Sequence, residues 1–168
     1  MTERSPAPGG LALVEALVNT LDIESGADSL DTVQGRARFG LQEDEVEQAR
    51  RLREALRAAL LAHAGHPPHR EVTPLGDLLA GAPLVLTVDP GDGSAALTPA
   101  AARPTLLSRV AAAVADALVA GTWSRLKACE ATNCHWAYYD RSPAGRGRWC
   151  SMQVCGARAK MRRYRAKD

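Results

Sequence analysis

The sequence predicts a mainly α chain of α+β class: a helical N-terminal body with one β-hairpin, then a small four-cysteine module built from a hairpin and a basic helix. Three observations predict it. Apolar residues recur at the three-and-four spacing of amphipathic helices in three stretches before residue 121. All four cysteines fall after that point, as two matched pairs. The charge also switches there: residues 1–120 hold 10 Lys+Arg against 16 Asp+Glu, and residues 121–168 hold 11 against 3. The expected organisation is a loose leader over 1–10, a helical domain over 11–121 and a cysteine module over 122–168.

With 168 residues, 46% hydrophobic and 24% charged, the chain can bury a core, which excludes the disordered and fibrous classes. No run approaches the roughly 18 apolar residues of a membrane span, and MTERSPAPGG lacks the pattern of a signal peptide. These features predict a cytoplasmic protein with no membrane partner, whose thiols stay reduced.

The first predicted helix lies in GLALVEALVNTLD, where Leu11, Val14, Leu17, Val18 and Leu21 share a face beside Asn19 and Thr20. A longer helix follows Glu43, Asp44 and Glu45, whose charges suit a helix N-terminus. Its apolar positions Val46, Ala49, Leu56 and Leu60 leave the arginines to the opposite side. Pro67 and Pro68 in HAGHPPH stop it. In PLVLTVDPGDGSAALTP two apolar runs flank a turn, a hairpin signature with a weak second arm. The last body helix carries Leu107, Val110, Val114 and Leu118 and ends at Gly121. Three apolar stripes are enough for a core of their own, so the body is expected to fold without the tail.

Cys129, Cys134, Cys150 and Cys155 form two C-x4-C pairs separated by fifteen residues. Two pairs on short loops, joined by a longer connector, supply the four thiolates of a closed structural Zn²⁺ site. Redox catalysis favours C-x-x-C, and four unligated thiols are the bland alternative. His135 could replace a thiolate but is expected to pack or face solvent. In the connector, Trp136, Tyr138 and Tyr139 precede a Ser-Pro-Ala-Gly turn and Trp149 follows it, which suits the two arms of a hairpin. These rings could instead stack on bases. His63, His66 and His69 recur every third residue, as a second metal site or as a plain surface loop.

Beyond Cys155, Ala157, Met161 and Tyr164 fall on one helical face, and Arg158, Arg162 and Arg165 on another that Lys160, Arg163 and Lys167 widen. Such a face suits phosphates and the guanine edge in a major groove. A solvated charged helix is the alternative. Arg148, Arg158, Lys160, Arg162, Arg163, Arg165 and Lys167 are the candidate DNA-contacting residues, with Arg158 nearest the cysteines.

The stretch RLKACEATNCHWAYYDRSPAGRGRWCSMQVCGARAKMRRYR resembles the CGNR zinc-finger family in its Cys pairs, Asp-Arg-Ser, Arg-Trp-Cys-Ser and Arg-Ala-Lys. VNTLD, at Val18 to Asp22, resembles the opening motif of the ABATE domain, which this finger typically follows and which is described as a stress-induced transcription regulator. The resemblance implies a DNA-binding zinc finger. The sequence departs from the naming motif at Ala157, where the family has Asn.

The leading reading is a DNA-binding transcriptional regulator whose acidic body senses a small-molecule effector or forms a homodimer, with Asn19 as the candidate ligand-sensing position. The alternative is a non-catalytic module that binds RNA or an acidic protein. No Gly-rich phosphate loop, nucleophile motif or carboxylate pair marks the chain as an enzyme, and no catalytic residue is assigned.

Overall fold

The computed structural model describes residues 5–166. The body contains α1 (Leu11–Val18), α2 (Val33–Ala37), α3 (Val46–His63), α4 (Leu75–Leu79), the antiparallel pair β1 (Leu84–Val88) and β2 (Ala95–Pro99), and α5 (Leu106–Val119). The tail adds a second antiparallel pair, β3 (Leu126–Ala128) with β4 (Ala137–Tyr139), then a π-turn (Met152–Gly156) that runs into α6 (Ala157–Arg165). The mainly helical class is observed, and the predicted hairpin lies at Leu84–Val88 with its partner strand formed.

Helices α1, α3 and α5 pack against one another through Leu11, Val14, Leu17, Val18, Leu52, Leu56, Leu60, Leu106, Val110, Ala113 and Ala117. The buried face of α5 is rotated from expectation: Leu118 is exposed, and the small residues Ala113 and Ala117 turn inward. The cause is close approach to α1. A Cβ added at Gly10 would lie 2.7 Å from the Ala113 Cβ, so only glycine against alanine fits. Of the leader, residues 5–10 are tied down, with Ala7 buried and its N–H donating to Glu15 Oε2 at 2.6 Å.

The core does not stop at Gly121. Leu126, Ala128 and Ala137 belong to the same buried cluster as the body helices, with β3 along α3 and β4 against α1. The arginines of α3 also depart from expectation, because Arg53 and Arg57 are buried within the helix's inner face. Arg57 is wholly enclosed. It donates to Val18 O and to His135 O, each at 2.9 Å, and to Glu54 Oε2 at 3.3 Å. Arg53 donates to Glu54 Oε1, Thr20 Oγ1 and Asp28 Oδ2. Burial alone would raise the Glu54 carboxyl, but hydrogen bonds from His69 and Arg53 and the charges of Arg57 and Arg53 hold it down at about 2. The cations therefore face a permanent anion.

Two outcomes follow. Arg57→Ala leaves Glu54 and two backbone carbonyls short of a donor and is expected to cost about 3–5 kcal/mol in chemical denaturation. Arg51→Ala, on the exposed side of the same helix, should stay within about 0.5 kcal/mol. The second outcome reverses the sequence expectation. A chain ended after Gly121 strips Leu126, Ala128 and Ala137 from the core and should lack the cooperative thermal transition of the full chain. A sharp melt of that fragment would show the body to be self-sufficient.

Candidate metal centre and basic surface

Each cysteine is placed by a different local device. Cys129 continues from β3, and its N–H donates to Trp136 O at 2.9 Å. Cys134 closes the turn back toward β4, with its N–H donating to Ala131 O, and His135 completes the reversal at a φ of 46°. Cys150 lies just before the π-turn, and Cys155 lies inside it, where the Ser151 hydroxyl caps the turn by accepting from Val154 N–H. The insertion that makes this a π-turn aims Cys155 back at the other three.

The four Sγ atoms lie within 4.8 Å of one another. Cys134 and Cys150 are 3.6 Å apart, and Cys150 and Cys155 are 3.7 Å apart. Those separations are far from a disulfide bond and close to the edge of about 3.8 Å of a tetrahedron with metal–sulfur bonds of about 2.3 Å. Cys129 and Cys155 are buried, and Ala131, Tyr138 and Trp149 enclose the group. Hydrogen bonds from Cys134 and Cys150 lower the Cys129 thiol. The hydrogen bond to Cys129 raises Cys134 and Cys150, and burial raises Cys155. Thiols bind a metal as thiolates, so metal binding at such a cluster releases their protons.

The tail hairpin differs from the expected one. The arms are β3 and β4, flanking the Cys129–Cys134 turn, whereas Trp149 lies outside any strand. Tyr138 is buried beside the cysteines and Tyr139 packs on the body core. His135 is buried, and its Nδ1–H donates to Cys129 O at 3.0 Å, the packing role expected of it.

The Asn19 side chain is engaged within the fold. Its side-chain Nδ2 donates to Ala137 O at 3.0 Å, and its Oδ1 accepts from Ala137 N–H at 2.7 Å. The amide thus pairs with the outer backbone edge of β4 as another strand would, and it clamps the first helix to the cysteine hairpin. The buried Arg57 and Glu54 were not singled out in the sequence. The available signal was the run Arg53, Glu54 and Arg57 interleaved with Leu52, Leu56 and Leu60 at helical spacing. The three loop histidines are dispersed: His63 donates to Leu126 O, His66 lies 3.5 Å from Glu130, and His69 meets Glu54 at 2.9 Å. Among the described residues only the cysteines form a metal-ligating group.

The predicted basic residues divide in two. Arg158 is ion-paired with Glu24 at 2.9 Å, and Arg148 pairs with Glu130 and covers the Trp149 ring. Arg158 and Arg148 thus each already hold an acidic partner. Lys160, Arg162, Arg163 and Arg165 are exposed, with no hydrogen-bond or ion-pair partner among the described residues. Lys167 lies outside the described residues. No residue of α6 is buried, so the face of Ala157, Met161 and Tyr164 is open as well.

With this geometry in view, residues 125–168 match the model of the CGNR zinc finger. Residues 11–121, more than half of the chain, match the ABATE model, described as "Putative stress-induced transcription regulator". The chain belongs to the ABATE family. No curated protein matches it. In this ABATE protein the VNTLD segment supplies Val18 O and Asn19, the groups that hold the finger to the body. Among the described residues, no helix is long and apolar enough to cross a membrane.

Proposed function

We propose that the chain is a zinc-dependent, non-catalytic DNA-binding regulator. Cys129, Cys134, Cys150 and Cys155 would hold one Zn²⁺, which supplies a structural cross-link between the β3–β4 turn and the start of α6. The observation that carries the reading is α6: nine residues, none buried, with four cations that have no partner among the described residues. Isolated helices of that length are marginal in water. This one is fixed at its N-terminus by the cysteine cluster, where thiolate charge favours the helix dipole, and its last turn holds Arg162, Arg163 and Arg165, which favour the other end. A rigid, fully exposed cationic helix fits the major groove of a duplex. Glu24 of the body and Glu130 of the cysteine module hold Arg158 and Arg148 as positioning groups.

Metal analysis of the purified full chain is expected to give one zinc per chain, with Cys129→Ser retaining less than a tenth of it. Chelation should lower the thermal midpoint of the body as well as the tail, because the two share a core. Protein with four intact reduced thiols and no zinc would overturn the metal assignment.

For DNA, four free cations predict a log–log salt dependence of about −3 to −4, and Arg163→Ala should flatten it by about one unit on every duplex sequence. Arg158→Ala should change affinity less than Arg163→Ala. Titration of the zinc-loaded protein against duplex DNA and structured RNA provides the check. Equal or stronger RNA binding, or no affinity above that of an unrelated protein of equal charge, would replace this reading with an RNA or acidic-protein partner.

A further inference from the structure

The loop from Asp140 to Arg148 is braced on its inner side. The Asp140 carboxylate accepts from Ser142 N–H at 3.0 Å, Gly147 N–H at 2.7 Å and Lys127 Nζ at 3.0 Å. Burial would raise that carboxyl, and the hydrogen bonds from Ser142, Lys127 and Gly147 hold it far below the usual range. A Cβ at Gly147 would lie 2.9 Å from the Asp140 Cγ, so the loop closes this tightly only with glycine. Arg125 donates to the carbonyls of Asp140 and Ser142, at 3.1 and 2.7 Å. The loop is therefore a preorganised surface.

Its outer side borders an open cleft of about 760 Å³, whose lining includes Tyr139, Arg141, Arg146, Arg148, Trp149 and Met152. The cations there differ in how their charge is met. Arg148 is balanced by Glu130. Arg141 is held in place by neutral groups only: it donates to Ser5 O at 3.0 Å and Pro6 O at 2.7 Å, and its guanidinium lies 5.1 Å from the Tyr139 ring centroid. Arg146 is exposed and has no partner among the described residues. Among the described residues the cleft thus presents two positive charges without an acidic partner, one held by backbone carbonyls and one exposed.

We infer that this cleft is a second contact to DNA, one that takes a backbone phosphate through Arg141 and Arg146 and is distinct from the α6 face. The inference rests on the DNA reading of α6. Met152 lines the cleft and opens the π-turn that leads into α6, so cleft and helix are consecutive parts of one surface. A helix in a major groove about 12 Å wide is flanked by phosphate strands, and its register is set by contacts to them. An open cleft suits a strand that passes through it, and two cations without acidic partners among the described residues suit a phosphodiester.

The test uses zinc-loaded full-length protein and a short duplex, with wild type, Arg146→Ala, Arg146→Glu, Arg146→Lys and Arg163→Ala compared by anisotropy across a salt series. Arg146 is exposed and has no hydrogen-bond or ion-pair partner among the described residues, so its variants should melt with the wild type. Arg146→Ala is expected to flatten the salt slope by about one unit and weaken binding roughly eightfold at 0.1 M salt. Arg146→Glu should lose more, and Arg146→Lys should recover the slope. If Arg163→Ala weakens binding while Arg146→Glu leaves affinity and slope unchanged, the cleft assignment is overturned and the α6 reading stands. If the wild type binds no duplex, the α6 reading fails and the cleft loses its ligand with it.

Discussion

The guanidinium of Arg57 ties the molecule together. It is fully buried at the meeting point of α3, the end of α1 and the cysteine hairpin, and its donors reach one carbonyl of each neighbour and the Glu54 carboxylate. A buried cation is tolerated only where its donors are satisfied and a counter-charge is close. Glu54, on the same helix, supplies the counter-charge, but the donors are all satisfied only with His135 in place, so the inner face of α3 is complete only when the cysteine turn is folded against it. Asn19 repeats the theme a short distance away by closing the β4 edge with a side-chain amide.

From that junction the exposed parts inherit their rigidity. The β3–β4 pair is anchored on its inner side by the body and carries Cys129 and Cys134 at its turn. Asp140 and Arg125 continue the bracing into the arginine loop, and the cysteine cluster passes it to the start of α6. Each step outward has fewer buried contacts, and α6 has none. Its orientation depends on the sulfur cluster and the exposed Arg158–Glu24 pair, and such a pair contributes little in water.

What could be read from the sequence follows from which signals are local. The cysteine spacing, the stop at Gly121 and the Leu84–Val88 strand are encoded in adjacent residues, and the structure places them as expected. The α5 face and the roles of Asn19, Arg57 and Arg158 depend on partners far along the chain. Leu118 resembles a core residue until the Gly10–Ala113 contact rotates the helix. Arg57 resembles a solvated arginine until Val18 and His135 surround it. Arg158 resembles the best base-reading residue until Glu24, 134 positions away, takes its guanidinium. The charge switch near Gly121 is a real change in surface composition, but the apolar core crosses it.

The shared core makes the two family segments poor candidates for independent shuffling. A finger transplanted onto an unrelated body would arrive with β3 and β4 exposing Leu126, Ala128 and Ala137, and with the Ala137 and His135 backbone groups unpaired. A body that lost its finger would keep a buried Arg57 with one of its two carbonyl partners missing. A finger exchanged into this body would therefore need backbone groups that Asn19 and Arg57 can still meet.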